Sequence, residues 1–143
     1  MQRSEFRHWL EVPIRWGDMD ALGHVNNVQY FRYFESGRIA YLNQVLAATR
    51  ASRQVVLADI QCTFLHQLHY PGTVEVGTRS VRLGTSSLHL NCGLFLKDAA
   101  KPAASCRAVL VCYDFRQQQS APLSVEERTA IAGFDEIEKM SHS

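Results

Sequence analysis

The chain has 143 residues, the length of one domain, and hydrophobic residues make up 46% of it and charged residues 20%. The formal net charge is only +1, which excludes a general electrostatic case for nucleic acid or a membrane surface as partner. Residues 1–10 lack the apolar stretch of a signal peptide, and no apolar run reaches the roughly 20 residues that cross a bilayer. We therefore expect one cytoplasmic domain over residues 1–143, with a frayed tail from about residue 134.

The four cysteines show no pattern that would bind a metal. No Cys-x-x-Cys pair and no nearby histidine pair has zinc-ligand spacing, and each cysteine lies in an alternating apolar run. This pattern predicts small buried thiols in a reducing compartment, without a metal site. The residues are Cys62, Cys92, Cys106 and Cys112.

The first half of the chain predicts a strand, a polar loop and a long helix. The strand covers residues 9–15, and the loop runs from Gly17 to about Val25. A helix capped by Asn26 or Asn27 should then extend to about Ala48. Its apolar residues recur at spacings of three and four and occupy so many positions that we expect burial along most of its length. They are Val28, Tyr30, Phe31, Phe34, Ile39, Tyr41, Leu42, Val45 and Leu46, together with Arg38.

The second half alternates with a period of two, which predicts four successive antiparallel strands. These cover residues 55–65, 73–83, 87–97 and 103–115, with an irregularity expected at Gly77. A short helix capped by Ser124 follows. In the first of these strands the even positions should form one buried face. They are Val56, Ala58, Ile60, Cys62 and Phe64.

One long helix and five strands are most economically combined by wrapping the antiparallel sheet around the helix, which gives an α+β fold. The opposite face of the sheet would then also carry apolar side chains, and a partner subunit covering them is expected. These side chains are Val55, Leu57, Val109, Val111 and Tyr113.

The segment from Arg15 to Phe31 has the composition of a reaction site. It places two acids, a histidine and two asparagines around a glycine directly before the long helix. The N-terminus of a helix offers unpaired N–H groups that can stabilise an oxyanion. A carboxylate in the preceding loop could attack a carbonyl held there, or activate water to do so. Asp20 lies seven residues before Asn27, far enough for the loop to fold back over the helix start.

This segment resembles the signature of the 4-hydroxybenzoyl-CoA thioesterase family. The matching residues are Trp16, Asp18, Asp20, Gly23, His24, Val25, Asn26, Asn27, Tyr30, Phe34, Glu35 and Arg38. Leu83, Gly84, Ser86 and Ser87 resemble the hairpin of the same family, and the resemblance extends over about residues 10–125. It implies a hotdog fold, a homodimer or homotetramer with active sites at the dimer interface, and hydrolysis of acyl-CoA without a metal or organic cofactor.

The resemblance also implies roles for individual residues. Asp20 falls on the catalytic aspartate, as general base or nucleophile, and the backbone N–H near Asn27 on the group that polarises the thioester carbonyl. His24 falls where part of the family positions substrate or water. Thr85, Ser86 and Ser87 fall where a neighbouring subunit contacts CoA. Candidates for the lining of the acyl pocket are Leu22, Tyr30, Phe34 and Phe64.

Several assignments stay open at this level. Asp18 is interpreted as a turn-forming or capping acid, and Glu35 with Arg38 as an intrahelical pair. The alternative activities are a hotdog hydratase or dehydratase using Asp20 with His24, and a non-catalytic acyl-CoA or acyl-carrier binding module. The side chains that bind the CoA phosphates could be any of Arg79, Arg82, Lys97, Lys101 and Arg107.

Overall fold

The computed structural model describes residues 1–49 and 54–137. The first strand, β1 (His8–Pro13), is followed by the helix α1 (Asn27–Val45). Four long strands come next: β2 (Gln54–Phe64), β3 (Thr73–Leu83), β4 (Ser87–Leu96) and β5 (Ala104–Asp114). A two-residue strand, β6 (Gln119–Ser120), and the helix α2 (Val125–Asp135) complete the order.

The strands form one antiparallel sheet in the order β1-β3-β4-β5-β2, and β6 pairs with β5. Helix α1, which has 19 residues, packs against β1, β3 and β4. The α+β class and the antiparallel sheet are thus confirmed, and the short strand β6 adds a sixth member that the sequence did not predict. No helix in the described part of the chain has both the length and the hydropathy to span a bilayer.

Helix α1 is buried along one side and open along the other. Phe34 and Tyr41 are fully buried, and Arg38 is 7% exposed. Val28 and Ile39, which the sequence placed on the buried face, are 62% and 55% exposed, so that part of the prediction is wrong for a single protomer. The helix also ends three residues before the predicted Ala48. Its buried residues are Tyr30, Tyr33, Phe34, Gly37, Arg38 and Tyr41.

Two irregularities in the sheet differ from the sequence prediction. A register shift between Leu57 and Asp59 in β2 reverses which side chains face the core. Val55 packs on the core before the shift, and Ile60 and Cys62 do so after it, so the even positions do not share one face throughout. The irregularity expected at Gly77 lies instead between Ser80 and Arg82, while Gly77 stays in register opposite Gly93.

The cysteines and the second helix cap agree with prediction. All four thiols are free, Cys62 is half-buried, and the other three are buried. The hydroxyl of Ser124 accepts a hydrogen bond from the Glu127 N–H, and the Glu127 carboxylate accepts one from the Ser124 N–H. Helix α2 continues through Asp135, within the predicted frayed tail; residues 138–143 of that tail lie outside the described part.

Candidate active site

The loop before α1 is anchored by Asp18. Its side chain is 3% exposed and accepts hydrogen bonds from the Arg15 N–H at 2.9 Å and from the Tyr33 hydroxyl at 2.7 Å. Burial, together with this bond to the Asp18 carboxylate, raises the pKa of Tyr33 above its usual value. The Asp18 carbonyl also accepts from the Asn26 N–H at 3.0 Å. Asp18 therefore fixes the loop to the helix, which confirms its interpretation as a structural acid.

Asp20 lies at the start of a tight turn that projects from this anchor. Its N–H donates to the His24 carbonyl at 2.8 Å, and its carbonyl accepts from the Gly23 N–H at 3.2 Å. Gly23 has a φ of 88°, a left-handed conformation that favours glycine. The Asp20 carboxylate accepts one bond, from the Leu22 N–H at 2.9 Å, and its side chain is 29% exposed. A partly exposed carboxylate held by one backbone bond keeps acceptor capacity for a ligand.

The first turn of α1 begins directly behind this loop. The Asn26 side chain accepts a hydrogen bond from the Val28 N–H at 2.9 Å, which confirms Asn26 as the helix cap. Asn27 is the first helical residue, and an N–H at that position has no carbonyl within the helix to bond. The Asn26 side chain therefore accepts from the Val28 N–H, and the neighbouring Asn27 N–H can donate to another acceptor.

A cavity of about 510 Å³ brings these groups together. Asp20 and His24 lie on its loop side, and Asn26 and Asn27 at the helix start. The opposite wall comes from the end of β2 and the residues after it, which sequence reasoning largely missed. That wall is formed by Phe64, Leu65, His66 and Gln67, and Leu22, Val25 and Tyr30 complete the lining.

Tyr30 links the helix to this opposite wall. Its hydroxyl donates to the His66 carbonyl at 2.9 Å, and its ring packs edge-on against Phe64 with centroids 5.2 Å apart. Burial raises the pKa of Tyr30, so its hydroxyl stays protonated. The Phe64 ring also packs edge-on against that of Phe31, with ring centroids 6.1 Å apart. The aromatic residues give the cavity an apolar side next to its polar loop.

Other predicted site residues lie elsewhere in the protomer. Phe34 is fully buried in the core and contributes no surface to the cavity. Thr85 and Ser86 lie in the β3–β4 connection and Ser87 begins β4, and none of the three lines this cavity. The Leu123 N–H donates to the Thr85 carbonyl at 3.0 Å, so the hairpin is tied to the segment before α2.

The helix acid Glu35 also lies outside the cavity. Its carboxylate pairs with Arg32 at 3.1 Å, so the predicted pair with Arg38 is wrong. Arg38 points into the protein because its position on α1 faces the sheet, and its Nη1 is buried without a hydrogen-bond partner among residues 1–49 and 54–137.

His69 was not anticipated as a neighbour of the site. Its Nδ1 lies 3.1 Å from the Gly23 carbonyl, and its ring contacts that of His24 edge-on with centroids 5.8 Å apart. The only sequence signal was its place in a polar stretch between a strand and the Tyr70-Pro71-Gly72 turn. Within residues 1–49 and 54–137, no three His, Cys, Asp or Glu side chains come together in a way that could hold a metal ion.

Comparison with known proteins defines the class to which this fold and site belong. The family model of the thioesterase-like superfamily matches residues 14–131. The chain belongs to that superfamily, a family of thioester hydrolases, which confirms the predicted resemblance at superfamily level.

Individual proteins are also similar to this chain, and one of them is named a thioesterase. The structure of the PA5185 protein of Pseudomonas aeruginosa PAO1 has a TM-score of 0.84 at 28% identity, covering 93% of this chain and 94% of that one. A thioesterase from Thermus thermophilus, solved with coenzyme A and zinc, has a TM-score of 0.81 at 30% identity, covering 92% and 97%. The uncharacterised YsmA protein of Bacillus subtilis is 30% identical over 90 residues, which span 62% of this chain and only 61% of YsmA.

Proposed function

We propose that the protein hydrolyses a fatty or aromatic acyl-CoA to the free acid and CoA. Asp20 acts as general base or nucleophile, and the Asn27 backbone amide donates a hydrogen bond to the oxyanion. His24 positions the substrate or the water. The observation that carries the proposal is that one cavity is lined by Asp20 and by the first residue of α1.

The chemistry follows from these two groups. A thioester carbonyl at the helix start would receive a hydrogen bond from the Asn27 N–H, which stabilises the charge that develops on its oxygen. The Asp20 carboxylate, on the same cavity, would attack the carbonyl carbon or remove a proton from the attacking water. The CoA bound to the Thermus relative supports CoA as the carrier.

The test is thiol release from a panel of acyl-CoAs that varies in chain length and includes aromatic acyl groups. Asp20→Asn keeps the shape of the side chain but removes its charge, and we expect kcat to fall at least about 100-fold. Asp98→Asn is the matched control, since Asp98 lies outside the cavity at a φ of 65° that asparagine tolerates. Equal turnover by Asp20→Asn and wild type would refute the role of Asp20.

A hydratase or dehydratase is the second candidate because His24 and Asp20 line the same cavity and could serve as acid and base. Crotonyl-CoA separates the two activities: hydration removes the absorbance of the enoyl thioester without releasing thiol. A binding module would retain acyl-CoA and release no thiol from any member of the panel.

We further propose that the protein is a homodimer or homotetramer. Apolar side chains at exposed positions support this, among them Val28, Ile39 and Leu57, which is 45% exposed at the edge strand β2. A neighbouring subunit would bring its Thr85, Ser86 and Ser87 to the CoA and would add to the acyl pocket beside Tyr30. Light scattering after size exclusion tests this, and a monomer at micromolar concentration would contradict it.

A further inference from the structure

The segment that follows β2 is paired with the loop before α1. The Val25 N–H donates to the Leu68 carbonyl at 2.8 Å, and both residues are 3% exposed, so this pairing is anchored in the core. The next residue, His69, is exposed. Its side chain reaches the turn of residues 20–24, which we call the Asp20 turn. A histidine outside the predicted motif therefore lies against the turn that carries the proposed catalytic carboxylate.

The first contact of His69 is with the backbone of the Asp20 turn. Its Nδ1 lies 3.1 Å from the Gly23 carbonyl oxygen. Because a carbonyl only accepts, Nδ1 carries the hydrogen, and the bond selects the Nδ1–H tautomer of neutral His69. Gly23 is the residue of positive φ, and its own N–H donates to the Asp20 carbonyl. A bond that holds the Gly23 carbonyl therefore holds the turn that begins at Asp20.

The second contact of His69 is with the side chain of His24. The ring centroids are 5.8 Å apart, and the ring planes meet at 74°, which is an edge-on contact. The His24 side chain is 27% exposed and lines the cavity together with Asp20. A ring packed against one side of the His24 imidazole restricts its rotation. His69 thus contacts the backbone of the turn and the second titratable side chain on it.

These two contacts matter more for geometry than for stability. The bond to Gly23 is exposed, and water would replace it if the imidazole were removed, so its loss should change the free energy of unfolding little. The rate of a reaction is more sensitive, because a displacement of the reacting group by about 1 Å can lower the rate by about 100-fold. A loss of activity without a loss of stability is therefore the expected sign of His69.

We propose that His69 is a positioning residue of the active site. Its bond to the Gly23 carbonyl holds the turn that places the Asp20 carboxylate, and its ring orients the His24 imidazole. His69 is not among the residues that line the cavity, so it acts through the Asp20 turn and not on the substrate. The inference rests on the proposed thioesterase function and adds to it a residue from outside the loop and the helix start.

Three substitutions separate the two contacts. His69→Asn keeps an N–H donor close to the place of Nδ1 but has no ring, His69→Phe keeps a ring but has no donor, and His69→Ala has neither. We expect His69→Ala to lower kcat for acyl-CoA about tenfold, with KM and the midpoint of unfolding near those of wild type. His69→Asn and His69→Phe should each recover part of this loss. The remaining loss in His69→Asn, about threefold, should disappear in a His24→Gln background, since the missing ring acts through His24.

Wild-type kcat in all three variants overturns the inference while leaving thiol release by the wild type intact. A lower midpoint of unfolding in His69→Ala, with no recovery of kcat in His69→Asn or His69→Phe, also overturns it, since His69 would then only support the fold.

Nitrogen-15 NMR of the histidine rings separates this inference from the proposed function, because it needs no turnover. In mildly alkaline solution, where an imidazole is neutral, we expect the wild-type His69 ring to carry its hydrogen on Nδ1. The His24 ring signals should shift in His69→Ala and shift less in His69→Phe. Both results would support the positioning role even if no acyl-CoA is hydrolysed. A hydrogen on Nε2 of His69, or His24 signals that are unchanged in His69→Ala, would overturn it.

Discussion

The imidazole Nδ1 of His24 lies 4.0 Å from Oδ1 of Asp20, beyond hydrogen-bond reach, although the backbone bond from Asp20 to His24 closes the turn that carries both. The two side chains therefore do not share a proton directly. This geometry supports the proposed role of His24 as a positioning group beside Asp20.

His24→Gln should lower kcat by roughly tenfold, well short of the effect of Asp20→Asn, because it removes a positioning group and not the proposed base. The double variant should be no slower than Asp20→Asn alone, since His24 would act only through the reaction that Asp20 supports. Steady-state thiol release by the four proteins measures this cycle. A double variant slower by the full product of the two single effects would show that His24 acts independently.

Asp18 and Asp20 should respond in opposite ways to the same substitution. Asp18→Asn changes a buried carboxylate with two donors, so we expect a loss of about 1–3 kcal/mol in the free energy of unfolding. Asp20→Asn alters a partly exposed group and should shift stability by less than about 0.5 kcal/mol while reducing kcat. Urea unfolding followed by circular dichroism checks both values, and a comparable loss of stability in Asp20→Asn would contradict the division of roles.

The residues of the site differ in how well the sequence predicts them. The roles of Asp18 and Asn26 depend on local backbone geometry, so turn and cap preferences predicted them, although they left the cap open between Asn26 and Asn27. His66 and Leu65 come from much farther along the chain and reach the cavity only because β2 lies at the sheet edge paired to β5. No local pattern encodes that pairing, so the far wall of the cavity could not be predicted.

The fold was predictable to a similar extent. Alternation of apolar residues predicted the four long strands after α1, but the bulge at Leu57–Asp59 in β2 changes the parity at a point where the sequence stays apolar. The spacing of apolar residues also cannot distinguish an apolar side chain that faces the core of the protomer from one that lies on its surface. Val28 and Ile39 follow the helical spacing and are nevertheless exposed.

Gly37 marks the close approach of α1 to β3. A Cβ at Gly37 would lie 2.4 Å from Cγ1 of Val76 and 3.1 Å from its Cβ, so either the helix or the Val76 side chain would have to shift. Gly37→Ala should therefore destabilise the protein by about 1–3 kcal/mol. Gly133→Ala in α2 meets nothing within 4 Å and should stabilise it by about 0.5–1 kcal/mol through helix propensity. Equilibrium unfolding of the two variants checks the sign of each change, and a stabilising Gly37→Ala would refute the contact.

His8 should make stability depend on pH. It is 5% exposed, and burial lowers its pKa below the usual 6.5, an effect that the Asp135 carboxylate partly offsets. Because the unfolded chain binds the proton more readily, stability is full above about pH 6.5 and declines as pH falls towards the lowered pKa. His8→Phe keeps a ring against Tyr41, which His8 contacts edge-on, but cannot titrate. The loss of stability between about pH 7.5 and about pH 5 should be smaller in His8→Phe than in wild type; an equal loss would exclude His8 as its source.

Most substitutions of Asn27 keep its backbone N–H, but its position as the first residue of α1 allows a direct test of the proposed oxyanion donor. Asn27 is the first residue of α1, where proline is well tolerated because the N–H makes no helical bond. Asn26 before it has φ −65° and ψ 141°, the extended conformation that a following proline requires. Asn27→Pro therefore removes the proposed oxyanion donor and leaves the helix in place.

We expect Asn27→Pro to lower kcat by about 100- to 1,000-fold, the loss typical of one oxyanion donor, with little change in the midpoint of unfolding. Asn27→Ala removes the side chain but keeps the amide, so its kcat should remain within a few-fold of wild type. A large loss in Asn27→Ala would assign the role to the side chain. Full activity in a folded Asn27→Pro variant would instead remove the helix N-terminus from the mechanism and leave Asp20 to act with another donor.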